Sequence, residues 1–359
     1  MTTNDIKKQL TRKKKKRRIL PTDYLSTGSA QLDLACTGQV GKGFLKGHMY
    51  LFVGDSESGK TFLCLTCFAE ASINPNFDYH RLIYDNAEDG ALMDIRHFFG
   101  QRVADRIEPP AKDKKGNSLF SKTIEDFYDH IDDAANDGRP FLYVIDSTDS
   151  LSSDAEIDKF QEQKTARRKG RKTTGSYGDG KAKKNSAGIR QILPKLRASG
   201  SILIVISQTR DNIGFGFETK TRSGGRALRF YATLEIWSAV GKKIKKEVRG
   251  KPRTIGTNIL LEVKKNRVNG RHRKVEVPIF YAIGIDDIGG CVEWLMSEDH
   301  WRGSGKKINA PEFDYVGSKT GLIHKIEKEG LEKDLRMIVQ EVWDDIEAAC
   351  DPKRKKRYE

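Results

Sequence analysis

The feature that most constrains this chain is the octapeptide Gly54-Asp55-Ser56-Glu57-Ser58-Gly59-Lys60-Thr61, which fits G-x-x-x-x-G-K-[ST]. An apolar run, Met49 to Val53, precedes it, and an apolar stretch through about Ala71 follows. A strand, a glycine-bounded turn and a helix in that order gather backbone N–H groups around one point, where phosphate oxygens can bind. Lys60 is placed to reach the β- and γ-phosphates, and the Thr61 hydroxyl to ligate Mg²⁺. The eight residues together are the expected cradle of a nucleotide, ATP with Mg²⁺.

Such a cradle belongs in an α/β domain. Leu82–Asp85, Phe141–Ile145 and Ile202–Ile206 read as further short strands, the last continuously apolar, as suits a strand covered on both faces. Segments 91–99, 122–136 and 186–198 read as helices, the last bent at Pro194. Ile124, Phe127, Ile131 and Ala134 line one face of the second. The alternation predicts a mostly parallel central sheet. Longer strands are expected over 232–240, 257–268 and 274–282, with a hairpin turn at Asn269-Gly270. A break is expected near 284–310, then a helix from about Glu332 to Ala349 whose stripe of Leu335, Ile338, Val339, Val342, Trp343 and Ile346 is core packing. The expected organisation is an N-terminal arm (1–20), a core (21–290) and a small, mainly helical C-terminal module (291–359).

Three residues beyond the octapeptide carry expected chemistry. Asp146 ends an apolar strand, where it would hold magnesium through water. Hydrolysis needs a group to orient and deprotonate water. Glu88, just past the strand Leu82–Asp85, is the candidate, with Asp85 and Asp89 as rivals. Gln208 closes another strand, where its amide either reports the γ-phosphate or merely caps.

Charge narrows the partners. The 359 residues carry 65 Lys and Arg against 50 Asp and Glu, a net 65 − 50 = +15. Residues 1–20 hold nine basic residues and one acid, +8; residues 159–184 hold ten and two, again +8. The remainder is then near neutral, 15 − 16 = −1, with a small cluster at Lys353–Arg357. The internal run contains Gly170, Gly175, Gly178 and Gly180 and shows no helical or strand period, so a mobile basic loop for a polyanion is expected. No apolar run reaches the length of a membrane span, and the basic N-terminus lacks the apolar stretch of a secretory signal. Five scattered cysteines suit a reducing compartment; Cys64 and Cys67 read as core thiols.

These residues together resemble the RecA-type recombinases, including the phage members of the UvsX kind, from about residue 26 to 290 and more weakly beyond. Ser26-Thr27-Gly28-Ser29 with Leu32-Asp33 is similar to the family's entry motif, and Val144-Ile145-Asp146-Ser147 to its magnesium-site strand. Ser207-Gln208-Thr209-Arg210, Ile213-Gly214 and Gly224-Gly225-Arg226-Ala227-Leu228-Arg229-Phe230-Tyr231-Ala232 resemble its second DNA-binding loop and the helix after it. The resemblance implies a RecA-like ATPase core, ATP-dependent helical filaments on single-stranded DNA, and homologous pairing and strand exchange with a duplex, coupled to DNA-dependent ATP hydrolysis. It makes Glu88 the water-activating carboxylate, Gln208 the link from γ-phosphate to the second loop, and Lys265 and Arg267 cations that reach the ATP of a neighbouring subunit. It places a first DNA-binding loop at residues 159–184, with Lys164, Arg167, Arg168, Lys169, Arg171, Lys172 and Lys183 as its cations. Ser186, Arg190, Arg210, Gly224, Gly225 and Arg226 become DNA-backbone contacts, and Ile213 a wedge between bases. Where the family stacks an aromatic on adenine, Ile95 stands here. Expected partners are single- and double-stranded DNA, further copies of the chain, and mediator or single-strand-binding proteins, in the cytoplasm, nucleoid-associated or, for a phage protein, in the host. Competing readings are a hexameric helicase or translocase of the same fold and an ATP-binding DNA regulator without turnover.

Overall fold

The computed structural model describes residues 19–88, 93–170, 180–211, 220–222, 225–302 and 307–354. The basic arm, apart from Ile19 and Leu20, and the centre of the internal basic run lie outside these. The strands are β1 (Tyr24–Leu25), β2 (Phe44–Leu45), β3 (Met49–Gly54), β4 (Arg81–Asp85), β5 (Phe141–Ile145), β6 (Ile202–Asp211), β7 (Lys220–Arg222), β8 (Leu234–Val248), β9 (Lys251–Asn266), β10 (Lys274–Phe280), β11 (Gly284–Ile285), β12 (Ile308–Ala310) and β13 (Tyr315–Gly317). The main sheet runs β11-β10-β9-β8-β3-β6-β5-β4, with β7 on β6. From β8 to β4 the pairs are parallel; from β8 to β11 they are antiparallel.

The central strand shows how the sequence makes this sheet. Every residue of β3 is buried, and successive side chains point to opposite faces. Tyr50 and Phe52 enter one core with Cys64, Cys67 and Phe68 of the helix Lys60–Ile73. Met49, Leu51 and Val53 enter the other with Phe127 and Ile131 of the helix Ile124–Asn136 and Ile189 and Leu196 of the helix Gly180–Ser199. Helices on both faces explain why β3 and β5 are apolar without alternation. Each fully buried large side chain contributes roughly 1.5–3 kcal/mol. Cys64 and Cys67 are buried, and burial pushes both thiols well above the usual range, as inert core thiols require.

A third core fastens the chain's end to its beginning. Ala30 and Leu34, on the helix Ala30–Thr37, pack with Val292, Leu295, Leu322, Leu335, Val339 and Trp343. Ala30 N–H donates to Asp287 Oδ1 (2.7 Å), and Val40 N–H to Gln340 Oε1 (2.8 Å). The C-terminal part holds helices Asp287–Ser297, Lys319–Glu329 and Glu332–Cys350 and the β12–β13 hairpin. Residue 290 therefore falls inside a helix.

Several expectations need correction. Residues 159–184 are not one loop: a helix spans Asp154–Arg168 and another begins at Gly180. Ser153 and Glu156 cap the first reciprocally, at 3.3 and 3.0 Å. Its Ala, Gln, Glu, Lys and Arg content favours helix, and Arg167 and Arg168 sit at the negative end of its dipole. It buries no residue, so no apolar period marked it. The break near 284–310 in fact holds β11 and the helix Asp287–Ser297, whose cap Asp286 accepts from Gly289 N–H at 2.8 Å. The strand expected at 232–240 runs on to Val248 and turns through Arg249-Gly250 into β9, which starts at Lys251 and not 257. The helix expected over 91–99 is described from Ile95, and Gly180–Ser199 continues through Pro194.

Candidate nucleotide site and DNA-facing segments

The octapeptide joins β3 to the helix Lys60–Ile73 at the carboxyl edge of the parallel strands. Gly54 is imposed by contact: a Cβ there would lie 2.4 Å from the Ser238 carbonyl oxygen and 2.6 Å from Ser58 Oγ. Gly59 has φ +79° and caps the helix with no side-chain oxygen. A Ser or Asp cap would consume N–H groups of the first turn; glycine leaves them for an anion. Lys60 folds back over the loop, with Nζ donating to the carbonyls of Gly54 (3.0 Å) and Asp55 (2.6 Å) and to Ser58 Oγ (3.4 Å). Burial lowers its pKa, against the pull of Asp146 and Glu88. An ammonium whose bonds among the described residues go to carbonyls and a hydroxyl, beside N–H groups with no side-chain cap, fits a polyphosphate.

Thr61 Oγ1 donates to Asp146 Oδ2 at 2.6 Å, and Tyr84 OH to the same oxygen at 3.0 Å. Burial raises the Asp146 pKa, and these two bonds oppose the rise. A hydroxyl and a carboxylate are the hard oxygen donors Mg²⁺ takes, so Thr61 and Asp146 fit the metal role.

Glu88 lies beside this pair. Its N–H donates to the Asp146 carbonyl at 3.0 Å, and its Oε1 accepts from Gln208 Nε2 at 2.8 Å and from Ser147 Oγ. Gln208 is fixed in turn: its N–H donates to Asp149 Oδ2 at 2.6 Å, and Thr209 Oγ1 bonds Asp55 of the octapeptide. The structure thus gathers Glu88, Gln208, Lys60, Thr61 and Asp146 into one cluster. Sequence reasoning missed Tyr84, Ser147, Asp149, Thr209 and Ser238, which hold that cluster in place. No local signal marked them: Tyr84, Thr209 and Ser238 lie within β4, β6 and β8, and Ser147 and Asp149 follow β5.

The rival Asp85 is built into the core. It is 3% exposed and accepts from Ser121 N–H (3.0 Å), Ser121 Oγ (2.5 Å) and Tyr143 OH (2.7 Å). Burial disfavours its charge, but bonds from His130, Ser121 and Tyr143 outweigh burial and hold its pKa below the usual value. Asp89 lies outside the described residues.

Lys265 and Arg267 stand apart. Lys265 pairs with Glu235 near the start of β8, whereas the octapeptide meets that strand at Ser238. Lys265 Nζ donates to the carbonyl oxygens of Arg229 and, at 2.9 Å, Phe230; the Arg267 guanidinium lies 5.6 Å over the exposed Phe230 ring. Both sit toward the start of β8, and the strand continues from there to the Ser238 that meets the cradle.

Of the expected DNA contacts, Lys164, Arg167, Arg168 and Lys169 are exposed at the end of the helix Asp154–Arg168, and Lys183 and Arg190 are exposed on Gly180–Ser199 beside half-buried Ser186. Gly225 and Arg226 open the helix Gly225–Tyr231, and Arg210 lies in β6. Arg171, Lys172, Ile213 and Gly224 lie outside the described residues.

A family model described as the RecA N-terminal domain matches residues 124–286. Protein RecA of Clostridioides difficile (strain 630) is 26% identical over 329 residues, covering 89% of this chain and 81% of that protein. Protein RecA of Thermus aquaticus is 25% identical over 334 residues, 88% of this chain and 86% of that one. Protein RecA of Ectopseudomonas oleovorans is 28% identical over 318 residues, 85% and 77% respectively.

Proposed function

We propose that this chain is a RecA-type recombinase, a DNA-dependent ATPase that assembles on single-stranded DNA with ATP and carries out homologous pairing and strand exchange. One observation supports the coupling: Gln208 bonds Glu88 at 2.8 Å and also lies in β6, the strand that leads into residues 212–224. A group that touches the phosphate site and begins the DNA-facing segment is suited to transmit nucleotide state as an order switch.

In this reading the octapeptide N–H groups and Lys60 bind and orient the phosphates. Glu88 accepts a proton from the attacking water and aims it, while Ser147 Oγ and Gln208 Nε2 fix its carboxylate. Mg²⁺, held by Thr61 and Asp146, supplies charge neutralisation at the phosphates when bound. Lys265 and Arg267 serve the cradle of the next copy, which makes nucleotide part of the joint between subunits. The exposed cations of the two helices flanking residues 171–179 bind DNA phosphates without reading sequence. No described helix is long and apolar enough to cross a membrane. The recombinase reading, through its DNA substrate, puts the protein in the cytoplasm, with mediator or single-strand-binding proteins as further partners.

The test is strand exchange with single-stranded DNA and ATP, alongside electron microscopy with a slowly hydrolysed analogue. Joint molecules and open filaments, both lost in Lys60→Ala, are expected. Closed rings would support the helicase reading, and DNA binding with no turnover the regulator.

A further inference from the structure

The near-neutral remainder of the chain conceals a concentrated charge. Residues 240–254 hold Lys242, Lys243, Lys245, Lys246, Arg249, Lys251 and Arg253 against Glu247, a net 7 − 1 = +6. In the fold they form the outer part of the β8–β9 hairpin. Gly54, the end of β3, pairs with Ser238, and β8 continues ten residues to Val248, about 33 Å at strand rise. β10 pairs with β9 only as far as Gly256. From Lys245 and Thr254 outward the structure is a two-stranded ribbon. It points past the same sheet edge that carries the nucleotide site. Its turn, Arg249-Gly250, has positive φ at both residues, +54° and +69°, the mirror-image geometry that matches strand twist and gives a regular ribbon.

All seven cations are exposed, and none forms an ion pair with a described carboxylate. Lys246 lies directly opposite Arg253 in register, a like-charge pair that costs stability. Alternation puts Lys246, Lys251 and Arg253 on one face and Lys243 and Lys245 on the other, with Arg249 at the tip.

We propose that this ribbon is an arm that seats in a groove of double-stranded DNA. The reading rests on the recombinase assignment only for DNA as the polyanion. Cations on both faces suit a groove with phosphates on both walls, whereas a flat acidic protein surface would meet one face. A two-stranded ribbon fits the major groove, about 12 Å wide. Single-strand sites stack bases on aromatic side chains, and residues 240–254 contain no Phe, Tyr or Trp. A helix whose bases are already stacked needs none.

The experiment compares full-length protein with the variant K245Q/K246Q/K251Q/R253Q on a mixed-sequence duplex and an oligothymidine single strand, across a salt series. The duplex slope of log K against log salt should flatten by about 3.6, four contacts at about 0.9 each, so the affinity lost between roughly 50 and 200 mM salt shrinks about 150-fold. Single-strand slope and single-strand-stimulated ATP hydrolysis should hold. An unchanged duplex slope overturns the proposal, as does equal flattening on both probes. A charge-keeping variant, K245R/K246R/K251R/R253K, should retain the wild-type slope; its failure to do so overturns the charge argument. Absence of ATP hydrolysis or filaments in the wild type would instead refute the recombinase reading and leave the duplex comparison standing.

Discussion

Two carboxylates, one ending β4 and one three residues past it, invite the same assignment, and the structure gives them different surroundings. Asp85→Asn separates them. Asp85 Oδ1 accepts one bond from Ser121 N–H, and Oδ2 accepts two, from Ser121 Oγ and Tyr143 OH. Asparagine keeps one accepting oxygen and turns the other into a donor that faces two hydroxyls. Two bonds to a charged acceptor are lost, each worth roughly 1.5–3 kcal/mol, with partial recovery as the hydroxyls rotate, so the cost is about 3 kcal/mol. Urea unfolding should show a lower midpoint with an unchanged slope. The pH dependence has a defined sign. The Asp85 bond raises the pKa of His130 above its usual 6.5, so His130 contributes stability fully below that value and loses it as pH rises through its folded pKa. The Asp85 pKa lies below its usual 3.8, so its contribution is present above 3.8 and is lost as pH falls through the lower folded value. The gap between wild type and variant is therefore widest between these two unfolded values and narrows at alkaline pH. ATP turnover per folded molecule should stay within about twofold, because none of these groups touches the cradle. Abolished turnover at unchanged urea midpoint would refute the reasoning and make Asp85 the base.

Glu88→Gln should do the converse: turnover falls about 10²–10⁴-fold, read by phosphate release, while unfolding and ATP-dependent filaments persist. Normal hydrolysis in that variant would assign the base elsewhere. Replacing Lys164, Arg167, Arg168 and Lys169 with Gln should flatten the salt slope on single strands by about 0.7 per lost phosphate contact. Binding measured on several unrelated sequences should weaken alike, and a sequence-dependent loss would contradict the phosphate-contact role.

What the sequence disclosed depended on how local the signal was. The cradle, Asp146 and Glu88 were legible because strand, turn and acid sit within a few residues of each other. β3 and β5 were legible as apolar runs because both faces are covered. The helix Asp154–Arg168 was not, because a helix that buries nothing has no apolar stripe. The ribbon escaped notice because its +6 is balanced elsewhere, so the remainder summed to near zero. Tyr84, Ser147, Asp149 and Thr209 are ordinary residues of strands and of the turn after one until pairing brings 84, 146 and 208 to one edge.

The join between the helix Ala30–Thr37 and the C-terminal helices has a consequence in time. Val40 bonds Gln340, 300 positions later. At roughly 5–20 residues per second of synthesis, about 15–60 s separate the making of the two. Throughout that interval Ala30 and Leu34 have been made, and the Val339 and Trp343 that cover them have not. The first helix of the core is thus among the last to be finished, and a message broken before Glu332 yields a chain in which it never is.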